Sequence, residues 1–218
     1  MANTQANAQA DSQANTQADS QAEARRRPDV ARAAAALADF LRALGHAPED
    51  DPELSKAPQL TAQAFAEELL SGYAMDPATI LADTMEAGPD EGLVAVRSIQ
   101  TTIVCPHHLL PAGGLVHLAY VPGSRLAGLG SLARLVQCLG RRLTLQETLV
   151  RELAETLMTG LGARGAGCLA EFTPACLTAR RPDCHRARSV SMAAVGCMAP
   201  GEPMHAAFLQ AVGGIDHR

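Results

Sequence analysis

From Leu93 onward the sequence abandons helical spacing for strict alternation. Leu93, Ala95, Arg97 and Ile99 fall on one side, and Val94, Val96 and Ser98 on the other. Alternation sustained to Cys105 commits the segment to a half-buried strand, and a strand of that length needs a sheet. Residues 111–114 read as a turn, and 115–121 as a second strand closing a hairpin. Two helical stretches follow, over 131–139 and 144–161. The second opens T-L-Q-E, a capping-box pattern with Thr144 as N-cap and Glu147 three residues on. Residues 167–173 and 188–195 read as two more strands. The order is β-β-α-α-β-β, an α+β architecture with an antiparallel sheet and two helices.

Upstream, the chain divides by composition. Residues 1–27 repeat Gln, Ala, Asn, Asp and Ser and end in Arg25-Arg26-Arg27, with almost nothing to bury, so they read as a disordered low-complexity arm. Residues 28–90 read as a helical region. Pro28 suits a first turn, Val30, Ala34, Leu37, Leu41 and Leu44 recur at helical spacing, and Gly45 ends the run. Pro58 opens a second helix through Phe65, Leu69 and Leu70, stopped at Gly72. Residues 91–218 then form the sheet domain.

The chain has 218 residues, 47% of them hydrophobic, enough for one substantial core with an added arm. A net charge of −5 and a pI near 5.8 give no footprint for nucleic acid or an anionic membrane. Aromatic residues are 3% with no tryptophan, which argues against a base-stacking platform. No apolar run spans a bilayer, and no secretory signal opens the chain. Six cysteines (105, 138, 168, 176, 184 and 197) sit in a chain too long and too regular for a disulfide scaffold, so a cytoplasmic location with reduced thiols is expected.

The chemistry concentrates where the first strand ends, in C-P-H-H-L-L-P over 105–111. Cys105 and His108 stand three apart at a strand end and can aim at one point. Thiolate and imidazole are ligands that Zn²⁺ prefers, and His107 is left to move protons. A buried thiol beside a surface histidine is the plainer alternative on spacing alone.

These stretches, with D-P-E-L-S (51–55), H-L-A-Y-V-P (117–122), G-L-G-S-L-A-R-L-V (128–136), R-R-L-T-L-Q-E (141–147), E-F-T-P-A-C (171–176) and S-V-S-M (189–192), resemble the GTP cyclohydrolase I family in the family's own order. The resemblance implies a tunnelling fold and a zinc site of Cys105, His108 and Cys176. It implies that His107 shuttles protons, that Gln146 and Glu147 recognise the guanine face, and that Arg134 and Arg180 hold the triphosphate. For Glu147 the alternative is its capping role, and for the two arginines plain surface roles. The implied reaction begins with an activated water attacking C8 of guanine. The family then releases the formyl group and rearranges the ribose into a pterin ring. Homo-oligomeric rings with sites between subunits are implied too, a decamer among the expected sizes.

Four positions depart from the family pattern. Pro174 stands where a catalytic histidine is expected, Gly130 where a serine serves ribose rearrangement, Ser131 where a lysine binds phosphate, and Leu60 where an arginine approaches the phosphates. His185, beside Cys184, is a candidate replacement proton donor, its alternative being a solvated loop residue. The expectation is a zinc hydrolase that opens the imidazole ring of a guanine-type substrate lacking triphosphate and stops before pterin closure. The orthodox reaction from GTP to dihydroneopterin triphosphate is one alternative, and a non-catalytic zinc-binding ring subunit another. A zinc base deaminase would need H-x-E and P-C-x-x-C, which the sequence lacks.

Overall fold

In the computed structural model, which describes residues 28–88 and 91–213, the alternating segments pair as one four-stranded antiparallel sheet. Its order is β2-β3-β5-β6, formed by Val94–Val104 (β2), Pro111–Val121 (β3), Gly165–Pro174 (β5) and Ser189–Gly196 (β6). Thr84–Glu86 (β1) and Arg125–Ala127 (β4) make a separate two-stranded ribbon. Between β4 and β5 run two helices, α4 (Leu129–Gly140) and α5 (Gln146–Leu161). The β-β-α-α-β-β order of the tunnelling fold is therefore present. The arm read over residues 1–27, including its arginine triplet, lies outside the described residues.

Both helices cover one sheet face. α4 packs on β2, and α5 on β5 and β6. Val116, Leu118 and Tyr120 of β3 meet Leu132, Leu135, Leu149, Leu153 and Leu157 there, all fully buried. Burying a leucine side chain contributes about 1.5–3 kcal/mol, so this layer holds the sheet and both helices together. On the opposite face Ala119, Val121 and Leu169 are covered by Phe208 and Val212 of α7 (His205–Gly213).

The alternation in β2 does not run straight through. A register shift between Val96 and Ile99, with Ser98 at φ 59°, is a β-bulge. It moves Ile99 onto the same face as Val94 and Val96, so the core-facing set is Val94, Val96, Ile99 and Ile103. The turn expected over 111–114 is also absent: β3 already begins at Pro111, and the hairpin bend occupies 105–110. Gly113 and Gly114, turn-like in sequence, are ladder residues. A side chain on Gly114 would strike the Glu171 carbonyl and the Phe172 ring.

The chain forms two compact units divided between Ala66 and Glu67. Residues 67–88, grouped by sequence with the N-terminal helical region, thus stand with the sheet, and the reason is packing. Ile80, at the end of α3 (Pro77–Ile80), and Leu81 are buried in the main core, and Gly72 lies so close to the carbonyl of Cys138 that no Cβ fits. In the first unit, α1 (Val30–Ala43) starts after Asp29, whose carboxylate accepts from Arg32 N–H at 2.9 Å, and packs against α2 (Ala57–Gln63). Leu44 lies past the helix end and is exposed. Beyond α2 the expected single helix breaks into a π-helical turn (Ala64–Leu69) and a 3₁₀ turn (Ser71–Ala74).

Candidate metal centre

The β2–β3 hairpin and the end of β5 build one corner. Val104 pairs with Pro111 and Ala112 with Pro174, so the bend after β2 and the residues after β5 emerge side by side. The bend is fixed by its own backbone. Cys105 N–H donates to Leu110 O at 3.0 Å, and Leu109 N–H to Cys105 O at 2.8 Å. Leu109 closes the loop at φ 55°, a left-handed conformation that costs a branched residue about 1–2 kcal/mol. That strain is spent on presenting Cys105 and His108 together.

Cys105 Sγ lies 3.6 Å from His108 Nδ1. Cys176, in the short helix α6 (Ala175–Thr178) after β5, completes the group, and the three ligand atoms lie within 4.8 Å of one another. Around tetrahedral zinc, bond lengths near 2.3 Å to sulfur and 2.0–2.1 Å to nitrogen give ligand–ligand edges of about 3.5–3.8 Å. The donor set therefore fits zinc, and the Cys105–His108 separation matches such an edge. Burial, and then the neighbouring Cys105, push the Cys176 thiol above its ordinary range, while Arg180 opposes them. A bound divalent cation reverses that balance, since a coordinating thiol loses its proton.

A second connection joins this corner to the start of α5. Val104 N–H donates to Arg142 O, and Thr144 N–H to Val104 O, making a parallel bridge between Val104 and Leu143. The residue before Cys105 is thereby bonded to the segment leading into Gln146 and Glu147. Arg142 anchors that segment in turn. Its guanidinium donates to Cys138 O at 2.7 Å and Gly72 O at 3.1 Å and lies over the Tyr73 ring. The Tyr73 hydroxyl accepts from Leu143 N–H at 3.3 Å. Arg142 and Tyr73 escape a motif reading because their partners lie about seventy residues away in the chain.

The capping box does not form. Helix α5 begins at Gln146 with Leu145 as N-cap and no side-chain cap, and Thr144, one residue too early, donates its hydroxyl to Leu145 O. Glu147 is exposed in the first turn, while Gln146 is buried. The Gln146 amide donates to Ala170 O at 2.8 Å and Ser189 O at 3.0 Å, and its oxygen accepts from the Ser189 hydroxyl.

The remaining predicted residues are exposed. His107 sets its ring edge-on to His108, 6.3 Å between centroids. Arg180 is near enough to Cys176 to act on its charge. His185 is tied to its own turn, Nδ1 lying 3.0 Å from Pro182 O. Arg134 lies in α4, and among the described residues no hydrogen bond or ion pair joins it to the Cys–His–Cys group.

Comparison with known proteins accords with this geometry. A sequence model of GTP cyclohydrolase I matches residues 33–213. The chain belongs to the GTP cyclohydrolase I family. Relatives named GTP cyclohydrolase 1 include one from Chromobacterium violaceum, 41% identical over 70% of this chain and 74% of the relative. Another, from Leifsonia xyli subsp. xyli, is 38% identical over 77% of this chain and 87% of the relative. A third, from Campylobacter lari, is 39% identical over 65% of this chain and 74% of the relative. The family comprises zinc-dependent hydrolases, and Cys105, His108 and Cys176 are the residues here that fit the metal. Among the described residues no helix is long and apolar enough to cross a membrane, and all six cysteines are free thiols.

Pro174, the residue in place of a family histidine, ends β5 and is half-buried. Gly130 and Ser131 lie in the first turn of α4, with nothing within 4 Å of a Cβ built on Gly130. Leu60 lies in α2 and is 59% exposed.

Proposed function

We propose that this chain hydrolyses the imidazole ring of a guanine-type purine at C8 and stops at a formamidopyrimidine or, after a second hydrolysis, a diaminopyrimidine. The observation carrying this reading is the convergence of Cys105, His108 and Cys176, joined through the Val104–Leu143 bridge to the start of α5. Zinc, when bound there, supplies an acidified water and a polarising charge. His107, exposed beside His108, moves protons to and from the opening ring. Glu147 accepts the two donors of the guanine edge. The uncapped N–H groups at the helix start, Gln146's among them, donate to the purine carbonyl. Gln146 serves through its main chain because its side-chain amide is already engaged.

Truncation of the reaction is inferred from what is missing. Pro174 carries no exchangeable proton, Gly130 no hydroxyl, and Ser131 and Leu60 no charge. A charge-assisted hydrogen bond contributes about 1.5–3 kcal/mol, so two lost cations weaken triphosphate binding by roughly two to four decades. Arg134 and Arg180 remain for a phosphate, and a nucleoside or monophosphate suits that reduced complement. A cytoplasmic homo-oligomeric ring with sites between subunits is part of the same proposal.

A second reading, the orthodox conversion of GTP to dihydroneopterin triphosphate, is favoured by the relatives named GTP cyclohydrolase 1 at 38–41% identity. Zinc-loaded protein offered guanine, guanosine, GMP and GTP, with products followed by mass spectrometry, separates the two. Accumulation of a formamido- or diaminopyrimidine supports truncation. Stoichiometric dihydroneopterin triphosphate from GTP rejects it. Glu147→Gln should lower kcat/KM for any guanine compound by roughly one to two decades. An unchanged value would remove Glu147 from base recognition.

A further inference from the structure

The geometry points to Ser189 and the side chain of Gln146 as a buried strut that sets Glu147 against the metal corner. The two are positioning residues acting through Glu147, an assignment that rests on the function proposed above. Gln146 opens α5 yet is only 6% exposed, unusual for a polar residue in a first helical turn. Its environment accounts for the burial. The amide nitrogen spends its two hydrogens on the carbonyls of Ala170 in β5 and Ser189 in β6. The carbonyl oxygen accepts from the Ser189 hydroxyl, which also lies 3.4 Å from Phe172 O. One glutamine thus ties a helix start to two adjacent strands.

Its position makes the strut consequential. Ala170 and Phe172, in β5, precede Cys176 by six and four residues, so the helix start is referenced to the strand that leads into a metal ligand. On the other side, the Val104–Leu143 bridge references the same helix start to Cys105. Helix α5 has no side-chain cap of its own, and these two attachments flank its first turn. Glu147 is the next residue, exposed, and inherits whatever position Gln146 is given. A buried polar group with every partner made is rigid and costly to disturb. Removing the Ser189 hydroxyl leaves the Gln146 oxygen without that donor and loosens the turn.

The test is a double-mutant cycle in the zinc-loaded full chain, using Gln146→Ala, Ser189→Ala, the double variant and Ser189→Thr. KM and kcat are measured on the guanine compound that the unaltered chain turns over best, with zinc stoichiometry and melting temperature beside them. Ser189→Ala, which removes one hydrogen bond to Gln146, should raise KM roughly three- to tenfold, and Gln146→Ala, which removes all three, should raise it at least as much. In that outcome kcat stays within about twofold, as removal of ground-state binding requires. Zinc content is unchanged, the double variant is no worse than the worse single one, and Ser189→Thr, which keeps the hydroxyl, restores KM. If Gln146→Ala raises KM while Ser189→Ala leaves it at the original value, the amide reads the base directly and the strut is overturned. Additive effects on KM overturn it too. Turnover of no guanine compound by the unaltered chain sinks the functional reading and the positioning role with it. Melting temperatures then still decide the strut, because coupled losses at 146 and 189 require it and additive losses refute it.

Discussion

The corner where β2 turns into β3 and the first turn of α4 are both polar sites on the same sheet unit, and they are equipped in opposite ways. The corner keeps two thiols, two imidazoles and a backbone that accepts left-handed strain at Leu109 to present them. The first turn of α4 holds Leu129, Gly130 and Ser131, with no cation, no side-chain cap and open space over Gly130. On the reading proposed above, ring opening draws on the first set, while the second offers no positive charge to a sugar triphosphate. That contrast supports an enzyme retained for ring opening and relieved of the later steps.

The comparison breaks most completely at the corner itself. Cys176→Ala should remove zinc and lower turnover by about three decades or more, because the metal supplies several kcal/mol of transition-state stabilisation. Metal analysis and the rate are read together, and a variant that loses zinc but keeps its rate would sever the site from the chemistry. A smaller loss is expected at His107. Changing it to Gln should cost roughly 10²-fold in kcat with zinc retained, the lower range for a general acid–base. An unchanged kcat would leave His107 a bystander and move attention to His185.

The contrast sharpens if the poorer region is refilled. Gly130→Ser, into open space, combined with Ser131→Lys should tighten GTP over guanosine by roughly one to two decades, read as the ratio of dissociation constants. A lysine in a first helical turn costs about 0.3–1 kcal/mol against the helix dipole, so a slightly lower melting temperature accompanies the gain. No change in the ratio would mean that phosphates do not lie near this turn.

How much of this was legible in the sequence follows from the range of each interaction. Alternation and helical spacing are local, and they yield the β-β-α-α-β-β element order, both core helices and the bounds of β2 and β6 to within a residue or so, but not the pairing order of the whole sheet. The bulge at Ser98 was invisible because Leu93 to Ile99 reads as an unbroken alternation, and only pairing with β3 exposes the extra residue. Pro111 to Gly114 carried turn composition, but pairing with Thr101–Val104 and with Phe172–Pro174 draws them into the ladder. Thr144 and Glu147 satisfied a capping spacing, yet the bridge to Val104 holds 143–144 extended and starts the helix later. At the site, Cys105 and His108 were readable from spacing. Cys176, sixty-eight residues beyond His108, came only from family resemblance, since no local signal links it to them.

The smallest expected effect concerns His117, in β3 on the face away from the two core helices. It is 3% exposed, and its Nδ1 lies 3.4 Å from Ser98 N–H, which donates to it across the bulge. Burial holds its pKa below the ordinary 6.5, Arg97 pushes the same way, and Glu171 pushes back more weakly. The unfolded chain therefore binds a proton here at a higher pH than the folded one does. Stability from this group is intact above pH 6.5, falls as pH drops through that value, and levels off once the folded-state value is passed. Melting temperature measured from pH 8 to 5 should show that slope, and His117→Gln, which keeps an acceptor for Ser98, should flatten it. Glu171, which faces His117, is ion-paired with Arg188. An identical profile in the variant would assign the acid sensitivity to groups other than His117.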